Sequence, residues 1–387
     1  MTCSDDRVDV GILFGGPSGE HEVSLMSAAA VWDAIDRDQF SPHAIPITRG
    51  GDWYYVKDPR PLFAEGIPDV VMDGRRIRLI PGKSGGLLLG DRLEPLHLDV
   101  IFPVLHGPFG EDGAVQGLLE ILSIPYVGAG VAASGAAMDK LLMKRLFRAS
   151  GLPIPDFLSV PSRDIIGREE TISDHVSETF GFPCFVKPAA LGSSLGVVKV
   201  TEREQLGPAL RLAGGMDRKV IIEAAVVEVR ELECSVLGNS ELRVAGPGEV
   251  IPGGEFYDYQ SKYWDDRTQL VIPASVPKEV AERSRQLACS AFRAVDASGL
   301  ARVDLFYQEP TNRLLINEIN TIPGFTKRSM YPRLWSADGM TFSELINELL
   351  NLARARFSKG DRAEEGSIGV TSEEAPGSVE EIGGTNG

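Results

Sequence analysis

Residues 302–320 read Arg302-Val-Asp-Leu-Phe-Tyr-Gln-Glu-Pro-Thr-Asn-Arg-Leu-Leu-Ile-Asn-Glu-Ile-Asn320, and this pattern predicts two β-strands joined by a turn at 310–312. Side chains alternate across a strand, so Arg302 and Asp304 share one face of the first strand. Glu318 and Asn320 likewise share one face of the second strand. The opposite face carries three apolar side chains, Val303, Leu305 and Ile319. The hairpin therefore presents two carboxylates, a carboxamide and a guanidinium on a single surface.

This polar surface has the oxygen ligands that Mg²⁺ prefers when it bridges substrate phosphates, with an arginine to neutralise developing charge. The candidate metal ligands are Asp304, Glu318 and Asn320. The simpler alternative is a solvated sheet face that carries one salt bridge. We favour the metal site because Asn320 leads directly into a tight turn, Thr-Ile-Pro-Gly, at 321–324.

A second segment has the composition of a phosphate-binding loop. Gly192-Ser-Ser-Leu-Gly196 lies between two apolar strands predicted at 182–187 and 197–200, so it forms a β-loop-β unit. Glycine turns leave backbone N–H groups available to phosphate oxygens, and serine hydroxyls add donors. Lys187 lies in the first strand, where its ammonium is costly to bury without an anion. For this loop taken alone, a plain hairpin turn with a lysine that reaches solvent is an equal alternative.

The composition excludes several classes of function. The chain has 387 residues, of which 43% are apolar, and 39 basic against 55 acidic residues give a net charge of −16. A chain this acidic lacks the basic footprint that binding to nucleic acid or an anionic membrane needs. The four cysteines form no C-x-x-C pair, so neither a zinc site nor a disulfide framework is indicated. We find no signal peptide and no apolar stretch long enough to span a membrane, so we expect a cytoplasmic protein.

The chain divides into three predicted domains and a tail. They are an open α/β domain at 1–138, a central domain at 139–228, a C-terminal domain at 229–358 and the tail at 359–387. The tail is acidic and rich in Gly, Ser and Thr. It cannot bury enough apolar surface to fold, and we expect it to be disordered.

The first domain places its loops where open α/β sheets bind ligands. Apolar strands predicted at 8–14 and 100–105 each run into a glycine-rich loop, and a third strand is predicted at 125–128. Glu20 and His106 follow the first two strands. Taken alone, each of these residues is more simply a helix cap or a loop residue.

Seven motifs, in order along the chain, resemble those of D-alanine–D-alanine ligases, which belong to the ATP-grasp superfamily. They run from about residue 8 to about residue 355 and so cover nearly all of the chain except the tail. The motifs are Gly15-Gly-Pro-Ser-Gly-Glu-His-Glu-Val-Ser-Leu25, His106-Gly-Pro-Phe-Gly-Glu-Asp-Gly113, Met138-Asp-Lys140, Lys187-Pro188, Gly192-Ser-Ser-Leu-Gly196, Phe256-Tyr-Asp-Tyr-Gln-Ser-Lys-Tyr263 and Asn317-Glu-Ile-Asn-Thr-Ile-Pro-Gly-Phe-Thr-Lys-Arg-Ser-Met-Tyr-Pro332.

The resemblance implies a three-domain ATP-grasp fold of the α/β (α+β) class, in which ATP lies between the central and C-terminal domains. It implies a ligase that phosphorylates the carboxylate of one D-alanine, after which the amine of a second D-alanine attacks the acyl phosphate. The product would be D-alanyl-D-alanine for peptidoglycan, and the cofactors would be ATP and two Mg²⁺ or Mn²⁺ ions. Two alternatives stay open: a ligase of the D-alanine–D-lactate or D-serine type, and a nucleotide-binding ATP-grasp protein without turnover.

The resemblance also implies roles for individual residues. Those for ATP are phosphate contacts from Lys140, Lys187 and Ser194, a ribose contact from Glu223, and a second acid near the nucleotide, Glu231. The implied metal ligands are again Asp304, Glu318 and Asn320, with Glu318 shared between the two ions. Arg302 and the backbone N–H of Gly324 would hold the reacting carboxylate and the tetrahedral intermediate that follows it.

The first D-alanine subsite follows from the same resemblance. Glu20 would bind the ammonium of this substrate and connect through Ser193 to Tyr263 by hydrogen bonds. His106 and Val23 would lie beside the subsite.

The second subsite and its cover are also implied. Lys262 and Ser329 would receive the carboxylate of the second D-alanine. We expect residues 253–263 to act as a lid, because two glycines can serve as a hinge and three tyrosines can exclude water. Tyr263 within this lid favours an amine nucleophile over the hydroxyl of D-lactate. The family further suggests a homodimer.

Overall fold

The structure is a computed structural model that describes residues 7–81, 86–253 and 268–358. Most of the expected lid, including Lys262 and Tyr263, lies outside the described residues, and so does the acidic tail. Among the residues described, no helix combines the length and the apolar composition needed to cross a membrane.

The first segment contains a parallel sheet and a smaller antiparallel sheet. Its elements are β1 (Val8–Gly15), α1 (His21–Ala34), β2 (Phe40–Ile47), β3 (Tyr54–Tyr55), α2 (Arg60–Glu65), β4 (Arg75–Ile80), β5 (Gly86–Leu89), β6 (Glu94–Leu96), β7 (Val100–Pro103), α3 (Ala114–Ile121) and α4 (Val131–Met138). The parallel sheet has the order β2-β1-β7, and the second sheet has the order β3-β4-β5-β6. The open α/β architecture predicted for this segment is confirmed. The prediction of a strand at 125–128 is wrong, because that segment forms only a single bridge, from Tyr126 to Ile101.

The central strand β1 is buried along most of its length, which accounts for its continuous run of apolar residues. It ends at Gly15, whose φ of +93° belongs to the left-handed region. A Cβ at this position would collide with the backbone carbonyl of Ile47 on the neighbouring strand. The glycine therefore lets the chain leave the sheet and turn toward α1, which brings Glu20 to the carboxyl end of the sheet.

The central segment forms one antiparallel sheet covered by helices. Its elements are α5 (Lys140–Ala149), β8 (Phe157–Pro161), α6 (Glu169–Thr179), β9 (Cys184–Pro188), β10 (Val198–Val200), α7 (Leu206–Gly214) and β11 (Lys219–Ala224). The strand order is β10-β9-β11-β8. Val186, Leu210 and Ile222 lie in its fully buried core. β9 and β10 pair directly with each other, so the predicted β-loop-β unit is confirmed.

The C-terminal segment forms a second, larger antiparallel sheet. Its elements are β12 (Val229–Gly238), β13 (Leu242–Ile251), β14 (Gln269–Val271), α8 (Lys278–Ala294), β15 (Gly299–Gln308), β16 (Arg313–Asn320), α9 (Met330–Ala337) and α10 (Phe342–Ser358). The strand order is β14-β13-β12-β15-β16. β15 and β16 pair as the predicted hairpin, in which Arg302 faces Asn320 and Asp304 faces Glu318. Each of the three expected domains thus carries sheets of its own, and the boundaries between them stay predictions.

The first and last segments share one hydrophobic core. Val10 of β1 and Phe102 of β7 belong to the same buried cluster as Tyr331 of α9 and Leu349 of α10. Helix α10 packs against β7 and α1 of the first segment and against β12 and β15 of the third. The loops at the end of the parallel sheet are therefore held in place by the last helix of the described chain.

Arg356 on α10 reinforces this junction. Its guanidinium donates hydrogen bonds to the backbone carbonyl oxygens of Gly128 and Tyr126 and to Oγ of Ser298, and it stacks 4.5 Å from the centre of the Tyr126 ring. Gly299 adds a close approach, because a Cβ there would lie 3.1 Å from the backbone nitrogen of Gly128. One side chain thus ties the first segment to two elements of the third.

We expect Arg356→Ala to destabilise the protein, because the backbone carbonyl oxygens of two buried residues, Gly128 and Tyr126, lose a charged hydrogen-bond donor. The free energy of unfolding should fall by about 1–3 kcal/mol, as measured by urea denaturation. Arg354→Ala is the matched control, because Arg354 is exposed on the same helix, and it should change the free energy by less than about 0.5 kcal/mol. Equal effects of the two substitutions would contradict the role of Arg356 as a link between segments.

Candidate active site

A cleft of about 440 Å³ lies where the three segments meet. Its walls include side chains from the β9–β10 loop, from the β15–β16 hairpin and from the loops that end the parallel sheet. The residues singled out from the sequence that line it are Glu20, His106, Lys140, Lys187, Ser193, Ser194, Glu223, Glu231, Arg302, Asp304, Glu318, Asn320 and Gly324. The glycine loop and the acidic hairpin therefore face a common cavity.

The polar face of the hairpin has the composition expected from strand alternation. Arg302 makes a two-pronged contact with Asp304, with Nε and Nη2 each 2.7 Å from a carboxylate oxygen. Asn320 Nδ2 donates to Oδ2 of Asp304 at 3.1 Å. Glu233 on β12 also lies beside the arginine, 3.1 Å from its Nε. Glu233 was not singled out from the sequence, although alternation along β12 places it on the same face as Glu231.

This donor set fits a hard divalent cation. Two carboxylates and an amide oxygen are suitable ligands. Oδ1 of Asp304 keeps a second lone pair while it accepts from Arg302, whereas Oδ2 accepts from both Arg302 and Asn320. Within 7–81, 86–253 and 268–358, no three His, Cys, Asp or Glu side chains converge as a metal site. The third donor expected here is the amide of Asn320, which is not one of those four residue types.

The glycine loop is anchored at both sides of the cleft. Ser193 Oγ donates a hydrogen bond to Oε1 of Glu20, and Lys140 Nζ donates to the backbone carbonyl of Leu191 at 2.7 Å. Ser193 and Ser194 both have a positive φ, 53° and 55°. This backbone region is costly for residues other than glycine, so the loop is held in a strained conformation of the kind that occurs at ligand sites.

The floor of the cleft contains a buried cluster of charges. Lys187 Nζ lies 2.9 Å from Oε2 of Glu223, so the anion that the sequence required for this lysine is Glu223. Lys144 on α5 lies 3.4 Å from the same oxygen and also donates to the backbone carbonyl of Asn317 at 3.3 Å. Lys144 was not singled out from the sequence. The available signal was its spacing of four residues from Lys140, which puts both on one face of the helix.

Burial and charge act in opposite directions in this cluster. Burial opposes ionisation of Glu223, but the charges of Lys144 and Lys187 outweigh it and hold the pKa of that carboxyl below its usual value. Burial lowers the pKa of Lys144, and Glu223 opposes that effect. The cluster therefore depends on close pairing between cations and a single carboxylate.

His106 lies beside Glu20 as a buried neutral imidazole. Its Nδ1 is 3.2 Å from the backbone carbonyl of Ile322, which can only accept, so this nitrogen carries the proton. Its Nε2 is 3.2 Å from Oγ of Ser27, which donates to it. Burial lowers the pKa of His106, against the effect of the Glu20 carboxylate.

Glu111 is a second carboxyl group near Glu20, and from the sequence it stood out only as a member of the motif at 106–113. Its Oε1 accepts a hydrogen bond from the backbone N–H of Gly107 at 2.9 Å. Gly192 lies against both acids, since a Cβ there would be 3.5 Å from Glu20 Oε2 and 4.0 Å from Glu111 Oε1. Burial, together with the charge of Glu20, raises the pKa of Glu111 to about 8.

Two predicted substrate residues do not line the cleft. Val23 is fully buried within α1, and its side chain belongs to the interior of the first segment. Ser329 is the residue before α9, and its hydroxyl lies 3.1 Å from the backbone nitrogen of Thr326 and 2.9 Å from the hydroxyl of that residue. Lys262 and Tyr263 lie outside the described residues.

Two antiparallel sheets that enclose a cleft with lysines on one wall and carboxylates on the other define a nucleotide-binding enzyme of the ATP-grasp class. Family models described as "D-ala D-ala ligase N-terminus" and "D-ala D-ala ligase C-terminus" match residues 9–129 and 146–351. The chain belongs to the D-alanine–D-alanine ligase family, as its motifs led us to expect.

Similar proteins cover nearly the whole chain. The D-alanine–D-alanine ligase of Thermoanaerobacter sp. (strain X514) is 46% identical over 359 residues, which are 90% of this chain and 97% of that protein. The enzyme of the same name from Geobacillus kaustophilus is 46% identical over 91% of this chain and 96% of its own length.

Solved structures agree with this assignment. The VanG D-Ala:D-Ser ligase from Enterococcus faecalis has a TM-score of 0.81 and 33% identity, and the match covers 90% of this chain and 99% of that one. The D-alanine–D-alanine ligase from Coxiella burnetii has a TM-score of 0.80 and 34% identity, with coverage of 92% and 96%. The three-domain ATP-grasp architecture expected from the motifs therefore agrees with the fold of these ligases.

The raised pKa of Glu111 predicts a pH dependence of stability. Above the ordinary value of 4.5 the unfolded chain loses this proton, whereas the folded chain keeps it up to about 8. Stability should therefore fall as pH rises through this interval, by at most about 1.4 kcal/mol per pH unit. Glu111→Gln removes the carboxyl group that titrates. The thermal unfolding midpoint of this variant should therefore rise relative to that of the wild type as pH increases from about 5 to about 8.

Glu65→Gln serves as the control, because Glu65 is an exposed carboxylate on α2. Thermal unfolding of all three proteins over the same pH range provides the measurement. A Glu111→Gln variant that tracks the wild type at every pH would show that this carboxyl is not held protonated.

Proposed function

We propose that this chain is an ATP-dependent ligase that joins two D-alanines into D-alanyl-D-alanine through an acyl phosphate, for peptidoglycan precursor synthesis. The observation that carries the proposal is the common cleft shared by the lysine-bearing glycine loop, the acidic hairpin and Glu20. Phosphoryl transfer depends mainly on positioning and charge neutralisation, and these groups provide both.

The nucleotide lies between the central and C-terminal sheets in this proposal. Lys140, Lys187 and Ser194 contact its phosphates, and the serine stands on a loop whose backbone N–H groups are suited to phosphate oxygens. Glu223 and Glu231 provide carboxylate acceptors for the donor groups of the nucleotide, the ribose hydroxyls among them. In support, Glu223 Oε1 is buried in the cleft and has no hydrogen-bond partner among the described residues.

Asp304, Glu318 and Asn320 would hold two Mg²⁺ or Mn²⁺ ions, with Glu318 shared. The ions supply neutralising charge to the phosphates during transfer. The support for this assignment is the oxygen donor set on one strand face, together with the paired guanidinium of Arg302.

The first D-alanine binds with its ammonium at Glu20, which Ser193 orients by its hydrogen bond. His106 and Val23 belong to the surroundings of this subsite, with His106 at the cleft wall and Val23 buried on α1. Neutral His106 adds no positive charge to repel the ammonium.

The chemical step joins the two substrates at the hairpin. A carboxylate oxygen of the first D-alanine attacks the γ-phosphorus of ATP, and ADP leaves. The amine of the second D-alanine then attacks the carbonyl carbon, and phosphate leaves while the amine loses a proton. Arg302 and the backbone N–H of Gly324 stabilise the oxyanion of the tetrahedral intermediate. The carboxylate of the second D-alanine is received by Ser329 and Lys262. Tyr263 also serves this second substrate.

A ligase that uses D-serine as the second substrate is the alternative with a specific observation behind it, the TM-score of 0.81 to the VanG enzyme. The D-alanine enzyme is favoured because relatives of that name are 46% identical over most of the chain. ADP formation with D-alanine, D-serine or D-lactate as the second substrate, with the product identified by mass, separates these activities. A nucleotide-binding protein without turnover would form no ADP with any of them. A cytoplasmic location, where ATP is supplied, and a homodimeric state belong to the same proposal.

Replacement of the shared metal ligand tests the site. We expect Glu318→Gln to lower kcat for D-alanine-dependent ADP formation at least about 100-fold. Without this shared ligand the metal ions would be held less well, and the negative charge of the phosphates would be less neutralised during transfer. Glu309→Gln is the matched control, since Glu309 lies in the turn of the same hairpin and is mostly exposed. Circular dichroism should show both variants folded, and wild-type activity in Glu318→Gln would remove the metal assignment.

A further inference from the structure

Lys144 is a buried lysine that does not line the cleft. Its side chain is only 1% exposed, whereas Lys187, the other partner of Glu223, is part of the cleft wall. A lysine this deeply buried needs a specific reason, because its ammonium loses its hydration. The reason lies in the two acceptors that it contacts on different elements.

The first acceptor is Glu223 on β11. Lys144 and Lys187 both approach the same carboxylate oxygen, Oε2, at 3.4 Å and 2.9 Å. The other oxygen, Oε1, is buried and has no partner among the described residues, while the residue itself lines the cleft. An unsatisfied buried acceptor is costly, and a donor on a ligand would satisfy it.

The second acceptor is the backbone carbonyl of Asn317 on β16. This residue immediately precedes Glu318 on the acidic strand. Lys144 itself belongs to α5, so one ammonium connects three elements: the helix, the nucleotide-facing strand of the central sheet and the metal-facing strand of the C-terminal sheet.

We propose that Lys144 is a positioning residue of the nucleotide site, which holds the carboxylate of Glu223 so that Oε1 meets an N–H or O–H donor of the nucleotide. This inference rests on the proposed nucleotide site and adds to it a residue that acts without touching the ligand. Lys187 contacts Oε2 of Glu223 from the cleft wall, and Lys144 contacts the same oxygen from the protein interior.

The charges around Glu223 and Lys144 determine how pH affects ATP binding. Glu223 is faced by Lys144, Lys187 and Lys140, and Lys144 is faced by Glu223, Lys187 and Glu318. Burial alone would raise the pKa of Glu223, and Lys144 is the strongest of the charges that oppose it. Loss of Lys144 therefore raises this pKa, so that Glu223 becomes protonated and a poorer acceptor as pH falls.

The test uses the full chain and measures ATP binding by calorimetry in the absence of D-alanine. Lys144→Met, which is neutral and of similar length, should weaken ATP binding about tenfold. The KM for D-alanine should change less than about threefold. The ratio of variant to wild-type ATP affinity should fall further as pH is lowered, because the raised pKa of Glu223 in the variant favours its protonated form. Arg145→Met is the control, because Arg145 is exposed next to Lys144 on the same helix, and it should bind ATP as the wild type does.

A double variant distinguishes positioning from a general structural role. If Lys144 acts through Glu223, Lys144→Met combined with Glu223→Gln should bind ATP no more weakly than Glu223→Gln alone. Additive losses, or a Lys144→Met variant with wild-type ATP affinity, would overturn the proposal. Glu223→Gln alone keeps the test decisive even where Lys144→Met does not fold, because wild-type ATP affinity in that variant leaves Lys144 nothing to position.

The test of Lys144 can be distinguished from the test of the proposed ligase function. Wild-type protein that binds ATP but forms no dipeptide would refute the ligase assignment and leave the comparison of Lys144 variants intact. Wild-type protein that binds no ATP would refute both.

Discussion

A buried charge has to be neutralised by a partner, and this constraint organises the whole cleft. The lysines of the floor are neutralised by Glu223, and Asp304 on the opposite wall is neutralised by Arg302. Each wall is thereby stable without a ligand, although one wall is rich in cations and the other in carboxylates. A triphosphate with its metal ions brings both signs of charge into the space between them, so the same side chains that stabilise the fold can bind such a ligand without large rearrangement.

The geometry of the cleft depends on contacts far from it. Glu20 lies between β1 and α1 of the first segment, yet its partner Ser193 is on the central segment and the acidic hairpin is on the third. The first and third segments are fixed to each other by the core that α10 shares with β1 and by Arg356. The central segment meets both through α5, which carries Lys140 and Lys144 on one face. Packing at the last helix and charge pairing at α5 therefore set the distances at the site together.

Features with a local cause were predictable from the sequence, and features that arise between segments were not. Strand alternation was sufficient to put Arg302 on one face with Asp304, and Glu318 on one face with Asn320, because the period of two is a local property of each strand. The shift in register between Asp304 and Leu305, which sets how the two strands pair at the site, was not visible in the sequence. Alternation is equally local for Glu233, but its relevance appears only when β12 lies beside β15. Lys144 and Glu111 have ordinary sequence surroundings, and their unusual environments come from burial by other segments. β2 was missed because Pro42 and Pro46 interrupt its pattern. Residues 125–128 have a strand-like composition, but they meet β7 only through the bridge between Tyr126 and Ile101.

The β9–β10 loop connects the two halves of the proposed reaction. Its glycines and serines face the phosphate region, and Ser193 reaches across to the acid that would bind the ammonium of the first amino acid. Because Ser193 and Ser194 both occupy the left-handed region, the loop conformation has to be maintained by its contacts at Glu20 and Lys140. In the proposed site, Glu20 belongs to the amino-acid subsite and Lys140 to the phosphate subsite. A change at either subsite therefore acts on the same strained loop, which gives the chain a short physical path by which the amino acid and the nucleotide can influence each other's binding.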